Sequence, residues 1–292
     1  MPGSFKIGEI WRYPVKSMGG EKLEASEITP NGLPFDRAWA VRDADGTIYS
    51  ARKLGRLLQY SARYVEQDSD GPAPRAEVTF PDGKRMTSDD LALNAALSED
   101  LGTEVTLSAV RPASDDAYYR KGELAKGGLD ARTAFGLKPD EPLPDVFDVT
   151  GRLRKYVDNW GTYWSQPGTH FDTAPLHILS EASLRYLAMR NPDVVVDVRR
   201  FRPNIVVADA AGLSSPFEFD WVGQILSIGK AQVEVFWETV RCIMTTREQH
   251  DLPRGAKLMR TMVRETQQNC GVYAEIKQPG RVGIGDPISV GE

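Results

Sequence analysis

Apolar and polar positions alternate in short bursts along most of this chain, with few stretches at helical spacing. Ala76-Glu77-Val78-Thr79-Phe80 and Val233-Glu234-Val235-Phe236-Trp237 alternate as strands do when one face is buried. In the N-terminal part such runs are separated by turn sequences: Asn31-Gly32, Asp45-Gly46 and Pro81-Asp82-Gly83-Lys84. Residues 5–110 therefore read as a small barrel with few helices. One helix is expected there, over Asp89–Leu97, opened by Ser88-Asp89. Further along, the pattern predicts a helix from about Ser180 to Met189 and another over Lys257–Glu265. Strands follow the same reading at Ile225–Ile228, Val233–Trp237, Tyr273–Ile276 and Pro287–Val290. The chain is thus mainly β with some helices, an α+β arrangement. Scattered Pro, Gly and charge mark residues 111–150 as a linker or insertion between domains at 1–110 and 151–292. Within it, Tyr118, Tyr119 and Phe135 predict parts that pack on or cover something.

The bulk numbers narrow the class. For a chain of 292 residues, a formal net charge of −5 argues against a nucleic-acid protein, which usually carries a basic surface. No run approaches the roughly 18 apolar residues of a membrane span. Met1-Pro2-Gly3-Ser4-Phe5-Lys6 has no apolar signal segment, and two cysteines without a Cys-x-x-Cys fit a reducing compartment. A cytoplasmic location is the expectation. The three histidines, His170, His177 and His250, form no zinc-binding pattern, and no phosphate loop or nucleophile elbow occurs. Two cysteines cannot hold a four-thiolate iron–sulfur cluster. Redox chemistry here would draw its electrons from another protein.

The candidate chemistry starts at Cys242, in Val240-Arg241-Cys242-Ile243-Met244-Thr245-Thr246. A thiol at a strand end, beside a cation and hydroxyl donors, favours its thiolate, and thiolates suit soft metals. On these residues alone, the commoner reading of Cys242 is a small buried hydrophobe.

Other segments add to it. Tyr13-Pro14-Val15-Lys16-Ser17 and Phe35-Asp36-Arg37-Ala38-Trp39 near the start resemble the N-terminal barrel of the MOSC family. Phe201-Arg202-Pro203-Asn204-Ile205, the Cys242 run and Gly283-Ile284-Gly285-Asp286-Pro287 resemble the MOSC domain itself. In this order they are similar to the molybdenum subunit of the amidoxime-reducing component and its bacterial relatives. The resemblance implies a MOSC N-terminal β-barrel domain packed on a MOSC β-barrel domain. It also implies a molybdenum cofactor, molybdenum on a molybdopterin, with Cys242 as metal ligand and catalytic centre. Lys16, Ser17, Arg37, Arg202 and Asn204 match positions that contact the cofactor, and Arg241 and Tyr273 match positions near it.

Arginine suits bidentate phosphate binding and asparagine the edge of a heterocycle. Arg52 is a candidate for the substrate-facing wall. His177 reads as a core residue, Ser180 as a helix start, and Cys270 as structural. The implied activity is reduction of N-hydroxylated small molecules, amidoximes and hydroxylamines. Electrons would come from an external donor protein, a reductase with a ferredoxin-like or haem carrier. The alternative is a molybdenum-cofactor or sulfur carrier that uses only the Cys242 thiolate. Neither nucleic acid nor membrane is implied as a partner.

Overall fold

The computed structural model of the chain describes residues 5–66, 71–121, 130–144, 161–209 and 212–291. In the N-terminal half come β1 (Phe5–Arg12), β2 (Glu21–Leu23), β3 (Ala25–Ile28), β4 (Trp39–Arg42), β5 (Ser61–Tyr64), β6 (Ala76–Thr79), β7 (Arg85–Thr87), α1 (Leu93–Leu101) and β8 (Thr106–Ala109). Two short helices follow, α2 (Asp116–Tyr119) and α3 (Ala131–Phe135). The C-terminal half holds β9 (Leu176–Ser180), α4 (Glu181–Arg190), β10 (Ile205–Asp209), β11 (Ile225–Ile228), β12 (Ala231–Val240), α5 (Ala256–Thr266), β13 (Asn269–Gln278), β14 (Gly280–Gly283) and β15 (Pro287–Val290).

The large sheet runs β10-β9-β13-β12-β11-β15-β1, and β1 turns back onto β10, closing a seven-stranded barrel. Full closure leaves the ring with no free edge. Strand β1 is the closing stave: Phe5 pairs with Asp209 on one side and Ile288 on the other. Beyond Ile10 the same strand pairs with β2 instead. Strands β9 and β10 are parallel and joined through α4, a crossover that parallel pairing requires. Inward-facing Ile7, Ile10, Ile178, Ile205, Val233 and Val235 fill the barrel and are fully buried. Each such side chain contributes about 2 kcal/mol by leaving water.

A second body rests against the barrel. It comprises the β4–β8 pair, the β5-β6-β7 sheet and α1, around a core that includes Val15, Met18, Leu57, Tyr60, Val78 and Leu97. Gly83, at φ 87°, makes the β6–β7 turn that Pro-Asp-Gly-Lys predicts. The cut at residue 110 does not separate closed units, because β1 and β3 pair across it with β10, β15 and β14. Residues 145–160, spanning part of the expected linker and the start of the second expected domain, lie outside the described residues.

The predicted helices at Ser180 and Lys257 are present as α4 and α5, within two residues at each end. Ser180 caps α4 by accepting from the Ser183 amide. The helix predicted from Asp89 begins only at Leu93. The Asp90 carboxylate takes the Ala92 amide at 2.8 Å, an Asx-type turn that holds the preceding residues out of helix. Tyr118, Tyr119 and Phe135 are buried, as predicted for parts of the insertion. Among the described residues no helix is long and apolar enough to cross a membrane.

Candidate functional site

Strand β12 ends at Val240, and the chain is then clamped rather than released. The Arg241 amide donates to the Gln268 carbonyl at 2.9 Å, and Gln268 Nε2 donates back to the Arg241 carbonyl at 2.8 Å. Cys242 is extended (φ −101°, ψ 177°) and opens a one-turn 3-10 helix, Ile243–Thr246. Its carbonyl accepts from the Thr245 amide at 3.3 Å and from Thr245 Oγ1 at 3.1 Å. Met244, two residues on, plugs into the core of the N-terminal body. The thiol of Cys242 therefore sits at the seam between the two bodies, half-buried on a backbone fixed from both sides.

It faces a cleft open to solvent. Its wall is strongly cationic: Arg37, Arg52, Arg200, Arg202 and Arg241 line it, with Asp172 as the one carboxylate among the described lining residues. Phe135, Phe171, Phe201 and Tyr273 add aromatic surface to the same lining. Such a concentration of positive charge in an acidic chain raises the local potential in favour of anions.

The guanidiniums differ in how they are held. Arg200 gives its donors to the carbonyls of Val195, Thr245, Arg247 and Pro253 and serves the wall itself. Arg37 pairs with Asp36 and reaches the Arg202 carbonyl at 3.3 Å. Arg202 donates one nitrogen to the Met18 carbonyl, and Arg241 donates to the Phe201 carbonyl at 2.6 Å. Arg37 and Arg202 lie over Tyr13, 4.8 and 4.2 Å from its ring centre. Burial, helped by the neighbouring Arg37, pulls the Arg202 guanidinium down to about 10, so it stays charged at neutral pH. Two buried nitrogens in this wall have no hydrogen-bond partner among the described residues, Nη2 of Arg202 and Nε of Arg241. Orphaned buried donors cost energy unless something completes them.

Backbone strain gathers in the same place. Ser17, Arg37 and Arg202 adopt φ of 69°, 53° and 56°, a left-handed region that side chains with a Cβ enter at a cost of about 1 kcal/mol or more each. The turns that hold them there aim Arg37 and Arg202 into the cleft.

Of the residues expected from sequence, Cys242, Arg37, Arg202, Asn204, Arg241 and Tyr273 line this one cleft, and Arg52 joins them. Lys16 and Ser17 do not. Lys16 is buried behind the wall, its ammonium donating to the His170 carbonyl at 2.8 Å and to Asp172 at 2.7 Å. Ser17 Oγ accepts the Ala51 amide and so pins the neighbouring loop. Asn204 reaches the cleft, yet both its amide hydrogens are occupied, one by Asp36 at 2.9 Å and one by the Trp11 carbonyl at 3.4 Å. Its oxygen takes the His177 amide at 3.1 Å. Asn204 is a strut between β1, β9 and the Asp36 turn, rather than a free amide.

His177 also lines the cleft, and burial, then Arg241, drives its imidazole far below the usual range, so it is neutral. Gly271 makes room for it: a Cβ there would meet His177 Nε2 at 2.4 Å. Ser180 and Ser183 both donate to the buried Glu218 carboxylate, at 2.5 Å each. Cys270 is buried away from the cleft, its thiol pushed up by burial. Asp172 and Phe135 were not singled out as site residues in the sequence, and no local motif marks them; Asp36 stands inside the Phe35–Trp39 run, where Arg37 alone was singled out.

The donor set fits a molybdopterin-type group: a half-exposed thiol for a soft metal, and buried unpaired N–H groups for an anion. Among the described residues no group of three or more His, Cys, Asp or Glu is arranged to hold a metal ion.

Known proteins bear on the same point. The chain matches the MOSC N-terminal beta barrel domain over residues 4–114 and the MOSC domain over residues 166–289. It is 25% identical to mitochondrial amidoxime reducing component 2 of Rattus norvegicus and 27% identical to mitochondrial amidoxime-reducing component 1 of Homo sapiens. Each alignment covers 97% of this chain and 82% of the relative. A molybdenum cofactor sulfurase from Drosophila grimshawi is 26% identical over 95% of this chain, which spans 34% of that longer protein. With a MOSC N-terminal beta barrel domain at residues 4–114 followed by a MOSC domain at residues 166–289, the chain is a MOSC-domain protein.

Proposed function

We propose that this chain is the molybdenum-cofactor subunit of a reductase for N-hydroxylated small molecules. The observation that carries the reading is the half-exposed Cys242 thiol, which opens into a cleft walled by guanidiniums with buried unpaired donors. Cys242 would ligate the metal, while Arg202 and Arg241 would hold the anionic pterin with the donors they leave free. The group when bound supplies two-electron oxygen-removal chemistry. Relatives named for amidoxime reduction support the choice of substrate class.

Overall, an N–OH compound takes up two electrons and two protons and leaves as the reduced nitrogen compound and water. The electrons come from a separate carrier protein, because the chain has no nicotinamide or flavin fingerprint. The residues of the chain bind and orient. The aromatic side chains of the lining receive the flat part of a substrate. Asp172 stays ionised: Lys16 and Arg52 outweigh its burial and hold its carboxyl below the usual range. It therefore donates no proton. Tyr273 is the opposite case, a phenol kept protonated by burial. Lining the cleft, it is the chain's own hydrogen-bond donor to a substrate oxygen.

The test is molybdenum and pterin content of purified wild type beside Cys242→Ser, followed by amidoxime and hydroxylamine reduction. Wild type holds both metal and pterin, and it turns over with a chemical reductant but not with NADH or NADPH alone. Unchanged molybdenum spectroscopy in Cys242→Ser would remove the assignment of the ligand. A fully loaded protein that reduces nothing with any reductant would mark a cofactor or sulfur carrier instead.

A further inference from the structure

Four of the five lining guanidiniums are braced deep in the wall, as a group that binds a permanent occupant should be. Arg52 is built differently. Its main chain is anchored: the Arg52 carbonyl accepts from Arg247 Nη2 at 2.9 Å, and the preceding Ala51 amide donates to Ser17 Oγ at 3.0 Å. Its side chain is not. The guanidinium has one charged neighbour in ion-pair range among the described residues, Asp172 at 3.8 Å, too far for a hydrogen bond. Asp172 already serves Lys16 at 2.7 Å. With 35% of its side chain exposed, Arg52 stands at the rim, where its charge acts on Lys121 and feels that of Cys242. A planar fork of donors, with a fixed base and a loose head, is therefore open to whatever enters the cleft.

We propose that Arg52 is the substrate-selecting residue of this site, recognising an oxyanion, a carboxylate or phosphonate-like group, carried by the N-hydroxylated substrate away from its N–O end. The inference rests on the reductase reading for the identity of the substrate, but not for the charge preference. Of the braced arginines, Arg202 and Arg241 take the resident anion with their unpaired donors, and the rim arginine takes the exchangeable one. Guanidinium and carboxylate match as a bidentate pair, whereas an ammonium-bearing substrate would meet repulsion from Arg52.

The experiment uses holoprotein and three analogues differing only in the para substituent: benzamidoxime, its carboxylate and its trimethylammonium derivative, with a para-phosphonate to compare the two oxyanions. Binding is measured by calorimetry on the oxidised protein without reductant, and kcat/KM ratios are measured with reductant. Wild type prefers the carboxylate over the neutral analogue by roughly 10- to 100-fold, the range of a charge-assisted hydrogen bond. A stronger preference for the phosphonate would identify a phosphate-type substrate. Arg52→Gln removes the preference, and Arg52→Glu turns it toward the trimethylammonium compound, a reversal that a purely structural role would not produce. Equal binding of all analogues by wild type would overturn the proposal, as would loss of molybdenum from Arg52→Gln, which would place Arg52 with the resident group. Should no analogue be reduced while the charge preference in binding persists, the reductase reading fails and the anion subsite stands.

Discussion

Asn204 separates a structural reading of the Arg-Pro-Asn segment from a cofactor-binding one. In Asn204→Ala the His177 amide loses its acceptor and is left buried and unpaired, at roughly 1–3 kcal/mol. The bond from Asn204 Nδ2 to the Asp36 carboxylate, 2.9 Å long, is lost as well, for about 1.5 kcal/mol. The long contact to the Trp11 carbonyl adds little. Asp36 keeps Arg37 and the Tyr13 amide, so it is not stranded. The expected loss is about 3 kcal/mol, a large part of the roughly 5–15 kcal/mol available to a folded domain. Urea unfolding of cofactor-free protein measures it directly. Asn204→Asp sharpens the test by setting a second carboxylate beside Asp36. That variant is destabilised further near neutral pH and recovers part of the loss in acid. An Asn204→Ala protein whose cofactor-free stability moves by less than about 0.5 kcal/mol, while its molybdenum content collapses, would show that the amide serves the cofactor.

His170 supplies a pH prediction. Burial, then the Lys16 charge, lowers its imidazole to about 3, so it stays neutral when folded but takes a proton near its ordinary value of 6.5 when unfolded. Its contribution is whole above 6.5 and declines as pH falls toward 3, by about 1.4 kcal/mol per pH unit. Unfolding free energies at roughly pH 7 and 5 should fall about 2 kcal/mol less in His170→Gln than in wild type; identical slopes would refute the assignment. Lys16→Met should cost about 2 kcal/mol in cofactor-free protein, because it unties the buried ammonium from the His170 carbonyl and Asp172. Unchanged stability there would show that Lys16 is available to a ligand after all.

Where the pattern was local, the sequence could be read. Strands β11 and β15 and helices α4 and α5 carry their own alternation, caps and turns, and the residues Arg37, Arg202 and Cys242 stand in recognisable short runs. Partnership was not readable. Lys16 and Asp172 lie 156 positions apart, and nothing in either neighbourhood tells that one neutralises the other. Nor does the spelling Arg-Pro-Asn tell that both amide hydrogens of Asn204 are turned away toward Asp36 and Trp11. Phe135 reached the site through tertiary contacts. Gln268 Nε2 bonds its carbonyl at 2.9 Å, and Arg260 holds the Gly136 carbonyl beside it.

The closing stave of the barrel sets the order in which the molecule can be made. β1 leaves the ribosome well before its partners β10 and β15, which come from the far half of the chain. Until those strands arrive, Phe5, Ile7 and Ile10 have no barrel to enter and must be kept from other partners. Pairing across such a separation carries a heavy loop-closure cost, so the barrel should close late and slowly, behind the more local β5-β6-β7 sheet. The MOSC-matched segment expressed alone would lack this stave and present two raw strand edges, which predicts an insoluble fragment that a β1 peptide supplied in trans should rescue.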